Sequence, residues 1–257
     1  MSVTSLQDSS SASPPARSSV SRRFVLLAAP AVLAGCVSSG GRPVVRVTDP
    51  RRDPMYLSMY GPMPNERFPI PAVDLRLIDP VYYRQQVVYD TDRRVGTVIV
   101  DPQEKFLFLV QPDGMAMRYG IGVGREGFGW TGNATIKRKA AWPRWTPPAE
   151  MVARDPEAAE WAGGMPPRLD NPLGARALYL YEGGRDTLYR IHGSNEPASI
   201  GNNVSSGCIR LINQDIIDLY ERVPLGSEVV VLGGGGYYAS SSNRPTRRGT
   251  SSMTSLL

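Results

Sequence analysis

From Gly96 the hydrophobic positions fall into short runs separated by turn residues. Thr97-Val-Ile-Val100, Lys105-Phe-Leu-Phe-Leu-Val110 and Met115-Ala-Met-Arg-Tyr119 read as successive strands, with a hairpin turn at Pro112-Asp-Gly114. Ala177-Leu-Tyr-Leu-Tyr181 and Thr187-Leu-Tyr-Arg-Ile191 repeat the pattern around Glu182-Gly-Gly184. The period changes once. Between Gln214 and Val223, the residues Ile216, Ile217, Leu219, Tyr220 and Val223 share one helical face, with Asn213 predicted to cap it and Asp215 placed favourably in the first turn. Glu228-Val-Val-Val-Leu232 returns to a strand pattern and is expected to close the sheet. The pattern predicts a mainly β (α+β) domain over residues 94–232 with one clear helix, and no internal repeat.

The flanks read differently. Residues 36–93 are rich in Pro, Arg and Tyr without a sustained period, which suggests a tether followed by an extension wrapped over the domain. Residues 233–257 begin with glycines and continue as a Ser, Arg and Thr tail expected to be disordered. At the other end, Arg17, Arg22 and Arg23 precede the apolar run from Phe24 to Gly35, too short to span a bilayer but the right length for a signal-peptide core. The run ends in Leu33-Ala34-Gly35-Cys36, similar to a bacterial lipobox, so residues 1–35 are expected to be removed and Cys36 to carry the lipid. Arg22-Arg23 after Ser21 also suggests twin-arginine export, although Phe24 comes one place earlier than in the usual pattern. The expected address is the periplasm. Val37 lacks the Asp of an inner-membrane retention signal, which favours the outer membrane of a Gram-negative cell; in a Gram-positive cell the anchor would sit on the outer face of the only membrane.

Composition narrows the function classes. A hydrophobic content of 41% suffices for one core, and the net charge of +5 is spread without a Lys/Arg stripe, which argues against a nucleic-acid partner and is compatible with an anionic wall polymer. Gly122-Val-Gly124-Arg-Glu-Gly127 matches a dinucleotide-binding pattern, but Phe-Gly-Trp-Thr-Gly follows it and cannot open the helix whose N-terminus would hold a pyrophosphate. Zinc is equally poorly served by a chain with one histidine. Trp130, Trp142 and Trp145 are expected in the core, while Trp142-Pro-Arg-Trp-Thr-Pro-Pro148 is too rich in proline for a regular strand and suits a lid or groove wall.

The chemistry is concentrated in HGSNEPASIGNNVSSGCIRL, which holds the single histidine, His192, and one of the two cysteines, Cys208. If Cys36 is lipidated, Cys208 has no intramolecular disulfide partner, and a lone thiol in an oxidising compartment is either deeply buried or chemically employed. Ser205, Ser206 and Gly207 before it, and the polar loop from Asn195 to Asn203, favour exposure. An imidazole within reach raises the thiolate fraction, and the amides of Gly207 and Cys208 can hold an oxyanion. On spacing alone, a satisfied loop histidine and a buried cysteine account for the pair equally well.

This stretch resembles the signature of the L,D-transpeptidase catalytic domain (YkuD or ErfK type): His-Gly, a loop containing Ile-Gly, then Ser-His/Ser-Gly-Cys-Ile/Val-Arg. The likeness extends upstream through GTVIVDPQEKFLFLV, GIGVGREGFGW, WPRWTPPAEM and NPLGARALYLY. It implies a β-sandwich-like domain with the cysteine in a cleft. It also implies that Cys208 is the nucleophile, His192 the general base, the carbonyl of Gly193 the group orienting the imidazole, and the Gly207 and Cys208 amides the oxyanion donors. Arg210 would support the site or meet an anionic group of the substrate, and Ser206, standing where many members carry a second histidine, would also meet substrate. Neither cofactor nor metal is implied.

The implied reaction is two-step acyl transfer on peptidoglycan stem tetrapeptides, with a thioester on Cys208, release of D-alanine and a 3→3 cross-link. A protein amine as acceptor would instead anchor an envelope protein to the wall, and water would give L,D-carboxypeptidase activity. A silent wall-binding lipoprotein is the alternative from another class, disfavoured by the intact pair His192 and Cys208.

Overall fold

A computed structural model describes residues 49–124, 130–204 and 208–233. The leader at 1–35, Cys36, Ser206, Gly207 and the tail beyond Gly233 lie outside the described residues.

The apolar runs become a sheet of eleven strands: β1 (Gln85–Val88), β2 (Val98–Asp101), β3 (Phe106–Gln111), β4 (Met115–Gly120), β5 (Gly122–Gly124), β6 (Gly132–Ala141), β7 (Arg176–Glu182), β8 (Arg185–Ser194), β9 (Asn203–Val204), β10 (Ile209–Ile212) and β11 (Glu228–Val231). Their spatial order is β1-β4-β3-β2-β11-β6-β7-β8-β10-β5-β9. Strand β2 is buried along its whole length because its alternate side chains feed two clusters: Val98 and Val100 the main core, Ile99 a second one with Tyr89 and Phe108. Val98, Leu107 and Tyr119 from one half of the sheet share the main core with Ile136, Leu178, Ile191 and Leu211 from the other half. The two halves therefore face each other, and the fold is mainly β, as the pattern predicts, and sandwich-like, as the resemblance implies.

Strand β11 does not close the sheet. It lies centrally, parallel to β2 (Val230 beside Ile99) and antiparallel to β6 (Val230 beside Asn133). Its apolar run of Val229, Val230 and Val231 fits an interior strand with both edges paired.

Among the described residues there are four α-helices: α1 (Pro54–Met59), α2 (Ala149–Arg154), α3 (Pro156–Glu160) and α4 (Asn213–Arg222). The expected helix after Cys208 is α4, and Ile216, Leu219 and Val223 enter the main core. Its cap differs from expectation. Ile212 occupies the N-cap position, and Asn213, already helical, turns its Oδ1 to accept a hydrogen bond from the Ala175 amide at 2.9 Å. The carboxylate of Asp215 is fully buried, so desolvation outweighs any gain from the helix N-terminus and burial pushes it up to about 7, against the opposing pull of the Arg84 charge and the Tyr60 hydrogen bond.

From Asp49 the extension is built into the domain. Aspartates at 49, 53 and 79, each followed by proline, accept hydrogen bonds from backbone amides two residues on and start α1 or a single 3-10 turn. Strand β1 then adds to the edge of the sheet beside β4, with Gln85 opposite Arg118. A buried polar network fixes the join. The Tyr60 hydroxyl accepts from the Arg84 amide at 2.6 Å and donates to Asp215 Oδ2 at 3.2 Å. The Arg84 guanidinium reaches Asp215 at 3.6 Å and Asp218 at 3.1 Å. Glu66 makes a second join, bridging Arg176 at 2.7 Å and the indole N–H of Trp142 at 2.9 Å.

Trp142 is buried against Phe68, edge to face at 4.9 Å, which places it in the core, while the partly buried Trp130 stacks on Tyr189. Trp145 is half-buried and bridges to Met165.

Candidate active site

Strand β8 runs into the site with alternating faces. Ile191 points into the main core, so His192 projects from the opposite face and Gly193 faces α4. Position 193 has no room for a side chain. A Cβ there would stand 2.3 Å from Asn213 Oδ1 and 2.9 Å from Ile216 Cγ2, so the start of α4 packs directly on the strand backbone. Gly174, at φ 58°, presses on the same place, where a Cβ would lie 2.5 Å from the carbonyl carbon of Gly193.

The imidazole is held by its own neighbour. His192 Nδ1 lies 2.8 Å from the carbonyl oxygen of Gly193. A carbonyl can only accept, so Nδ1 carries the proton and Nε2 keeps its lone pair. His192 is 3% exposed, and burial pushes its pKa down to about 4; the Gly193 hydrogen bond opposes this, while the charges of Arg210 and Arg190 add to it. The ring is therefore neutral at pH 7 with one nitrogen available as a base.

Cys208 arrives from the parallel neighbour of β8. It is half-buried, stands one residue before β10, and its carbonyl accepts from the Gly124 amide at 3.2 Å. The register pairs Ile209 with Ile191 and Arg210 with His192. Ile209 and Leu211 enter the core with Ile191, so Arg210 and His192 share the outer face, and Cys208 directly precedes β10.

Arg210 forms an ion pair with Glu196 at 3.1 Å. Glu196 belongs to the loop that links the histidine strand to the cysteine strand, and Ser194 Oγ accepts from its amide while Ser199 Oγ donates to its carbonyl. The extension supports this loop, a role the sequence pattern did not reveal. Ile200 packs with Tyr60, Leu75, Ile78 and Tyr83, and the ring of Tyr82 lies so close to Gly201 that a Cβ there would stand 2.3 Å away. Among the described residues, no cluster of three His, Cys, Asp or Glu side chains could hold a metal ion.

Comparison with known proteins agrees with the class that this pair of strands suggests. Residues 96–231 match the model of the L,D-transpeptidase catalytic domain, and the chain belongs to that family. It is 37% identical over 150 residues to the probable L,D-transpeptidase YbiS of Escherichia coli (strain K12), covering 56% of this chain and 47% of that protein. It is 56% identical over 60 residues to the putative L,D-transpeptidase YkuD of Bacillus subtilis (strain 168), covering 23% of this chain and 34% of that one. The chain spans about half the length of the first of these relatives. Among solved structures, a Brucella melitensis chain described as a probable carnitine operon oxidoreductase is 48% identical, with 62% of this chain and 99% of that chain covered and a TM-score of 0.43. An L,D-transpeptidase from Mycobacterium smegmatis is 19% identical over 53% of this chain and 58% of that one, with a TM-score of 0.39.

Proposed function

We propose that this chain is a cysteine-dependent L,D-transpeptidase acting on peptidoglycan stem tetrapeptides. The observation that carries the reading is the imidazole of His192, its Nδ1 2.8 Å from the Gly193 carbonyl, on the strand that pairs in parallel with the one Cys208 leads into. Nε2 takes the thiol proton as sulfur attacks the carbonyl of the third stem residue. The amides of Gly207 and Cys208 hold the oxyanion that forms. An imidazolium whose pKa lies near 4 is a strong acid for its kind, so it returns the proton readily to the departing D-alanine nitrogen. The thioester left on Cys208 is opened by an acceptor amine, whose proton goes to the same Nε2. With a stem amine as acceptor, the product is a 3→3 cross-link.

Incubation of the chain with disaccharide tetrapeptides, with Cys208→Ala alongside, tests this by mass spectrometry. A Cys208-dependent dimer lacking one D-alanine is expected. Tripeptide monomers alone would replace cross-linking with carboxypeptidase action or with transfer to an envelope protein, and no product at all would overturn the enzyme. Cys36, in its lipobox-like context, is proposed as the lipid anchor that holds the enzyme at the periplasmic face of the outer membrane. Fatty-acid labelling that persists in Cys36→Ser would refute the anchor.

A further inference from the structure

The outer face of the sheet carries a row of side chains leading to the nucleophile, one from each strand. Arg138 on β6 stands opposite Tyr179 on β7, and Tyr179 stands opposite Arg190 on β8. Extending the β8–β10 register by one residue places Cys208 next in line. Both guanidiniums lie over the Tyr179 ring, Arg138 at 4.3 Å and Arg190 at 4.4 Å from its centre. They come from the strands on either side of β7, and Tyr179 is left 6% exposed.

The two arginines are not equivalent. Arg190 is half-buried and held in a two-pronged ion pair with Asp186 at 2.6 and 2.8 Å. Arg138 is exposed and makes no ion pair among the described residues, although the Asp186 carboxylate is close enough to feel its charge. A guanidinium resting against a ring by cation–π attraction still has N–H donors with which to grip a carboxylate in two parallel bonds. Beyond Arg190, the Arg210 charge is matched by Glu196, so Arg138, which feels the Asp186 charge without an ion pair to it, is the least compensated cation of the row. Three strand spacings separate Arg138 from Cys208, about 14 Å, which is the length of roughly four extended residues.

We propose that Arg138, Tyr179 and Arg190 form a carboxylate-binding strip that seats the acidic part of the peptide whose carbonyl Cys208 attacks. Arg138 makes the contact, Tyr179 steadies its guanidinium, and Arg190, pinned by Asp186, steadies the ring. The choice of peptide as ligand rests on the transpeptidase reading; the anionic chemistry of the strip does not.

The test is equilibrium binding to the full chain carrying Cys208→Ala, so that nothing turns over. The probes are a disaccharide tetrapeptide with free side-chain carboxylates and the same compound with those carboxylates amidated. Loss of one charge-assisted contact is expected to weaken the free acid about tenfold, either by amidation or by Arg138→Gln, and the two changes together should cost no more than one alone. Arg138→Lys, which keeps charge without the planar fork, should fall between. Equal affinity for both probes, additive losses, or no binding of either would overturn the strip. Turnover by the unmodified chain is scored separately. Cross-linked product with additive losses removes the strip and leaves the enzyme, whereas coupled losses without product keep an anionic-peptide site and remove the transpeptidase.

Discussion

Replacing His192 by Gln provides a direct measure of the buried, neutral imidazole on which the mechanism depends. The ring's pKa falls from 6.5 in an unperturbed chain to about 4 in the folded protein, chiefly through burial. Between those values the unfolded chain binds a proton that the folded chain refuses, so unfolding is favoured as the pH falls. The stability contribution is fully present above pH 6.5 and is lost by about pH 4, amounting to about 3 kcal/mol at 1.36 kcal/mol per unit. Asp215 titrates with the opposite sign, its folded pKa being raised to about 7, but it is present in both proteins and cancels in the difference. Thermal unfolding of wild type and His192→Gln at pH 7 and pH 4 should therefore show the wild type losing more on acidification, by roughly 6–12 °C for a chain of this size. The same neutral ring places the acid limb of kcat/KM near pH 4 instead of near 6.5. Equal acid losses in the two proteins, or a limb near 6.5, would show that His192 is solvated and ordinary.

Two further substitutions test how the site is supported. Tyr60→Phe removes the hydroxyl that bridges the Arg84 amide and Asp215 across the join between extension and domain. It should cost about 1–3 kcal/mol in denaturant unfolding, and an unchanged midpoint would mean that the extension is not part of the cooperative unit. Gly193→Ala forces a Cβ to within 2.3 Å of Asn213 Oδ1, so it should cost about 1–3 kcal/mol and shift the carbonyl that orients His192. Turnover should fall at least about tenfold, since ångström-scale misplacement of a base has that effect. Gly163→Ala, where a Cβ meets nothing within 4 Å, is the matched control, and similar losses in both would refute the packing argument.

What the sequence made legible was whatever announces itself over a few neighbouring residues. Strands β2, β3 and β7 are apolar runs because both their faces are covered, so they were readable at once. Strand β6 was not. Its Arg138 lies exposed over a ring, and its Lys139 reaches past the core to the carbonyl of Val223 at the end of α4, so a buried partner satisfies a residue that reads as solvent-facing. The extension lacked any hydrophobic period, yet its Asp-Pro steps at 49, 53 and 79, like the one at 155 that starts α3, carried the local signal of a capped turn. That signal could have been found, because an aspartate that accepts an amide and a proline that needs none are chemical requirements of a helix start.

The site divides along the same line. His192, Gly193 and Cys208 occur within one stretch, so their types were visible. Their relation was not, because it depends on β8 and β10 pairing in parallel with Arg210 opposite His192. The strip of Arg138, Tyr179 and Arg190 is the extreme case. Each residue comes from a different strand, no spacing connects them, and only the register assembles them. Bond-making groups can share one loop, since a nucleophile and its base act on the same atom. Groups that seat an extended ligand must be spread over its length, and a sheet supplies that spread one strand at a time, at about 4.8 Å per step. Recognition of the substrate is thus the part of the function that sequence reading is least able to reach and that strand register sets out in order.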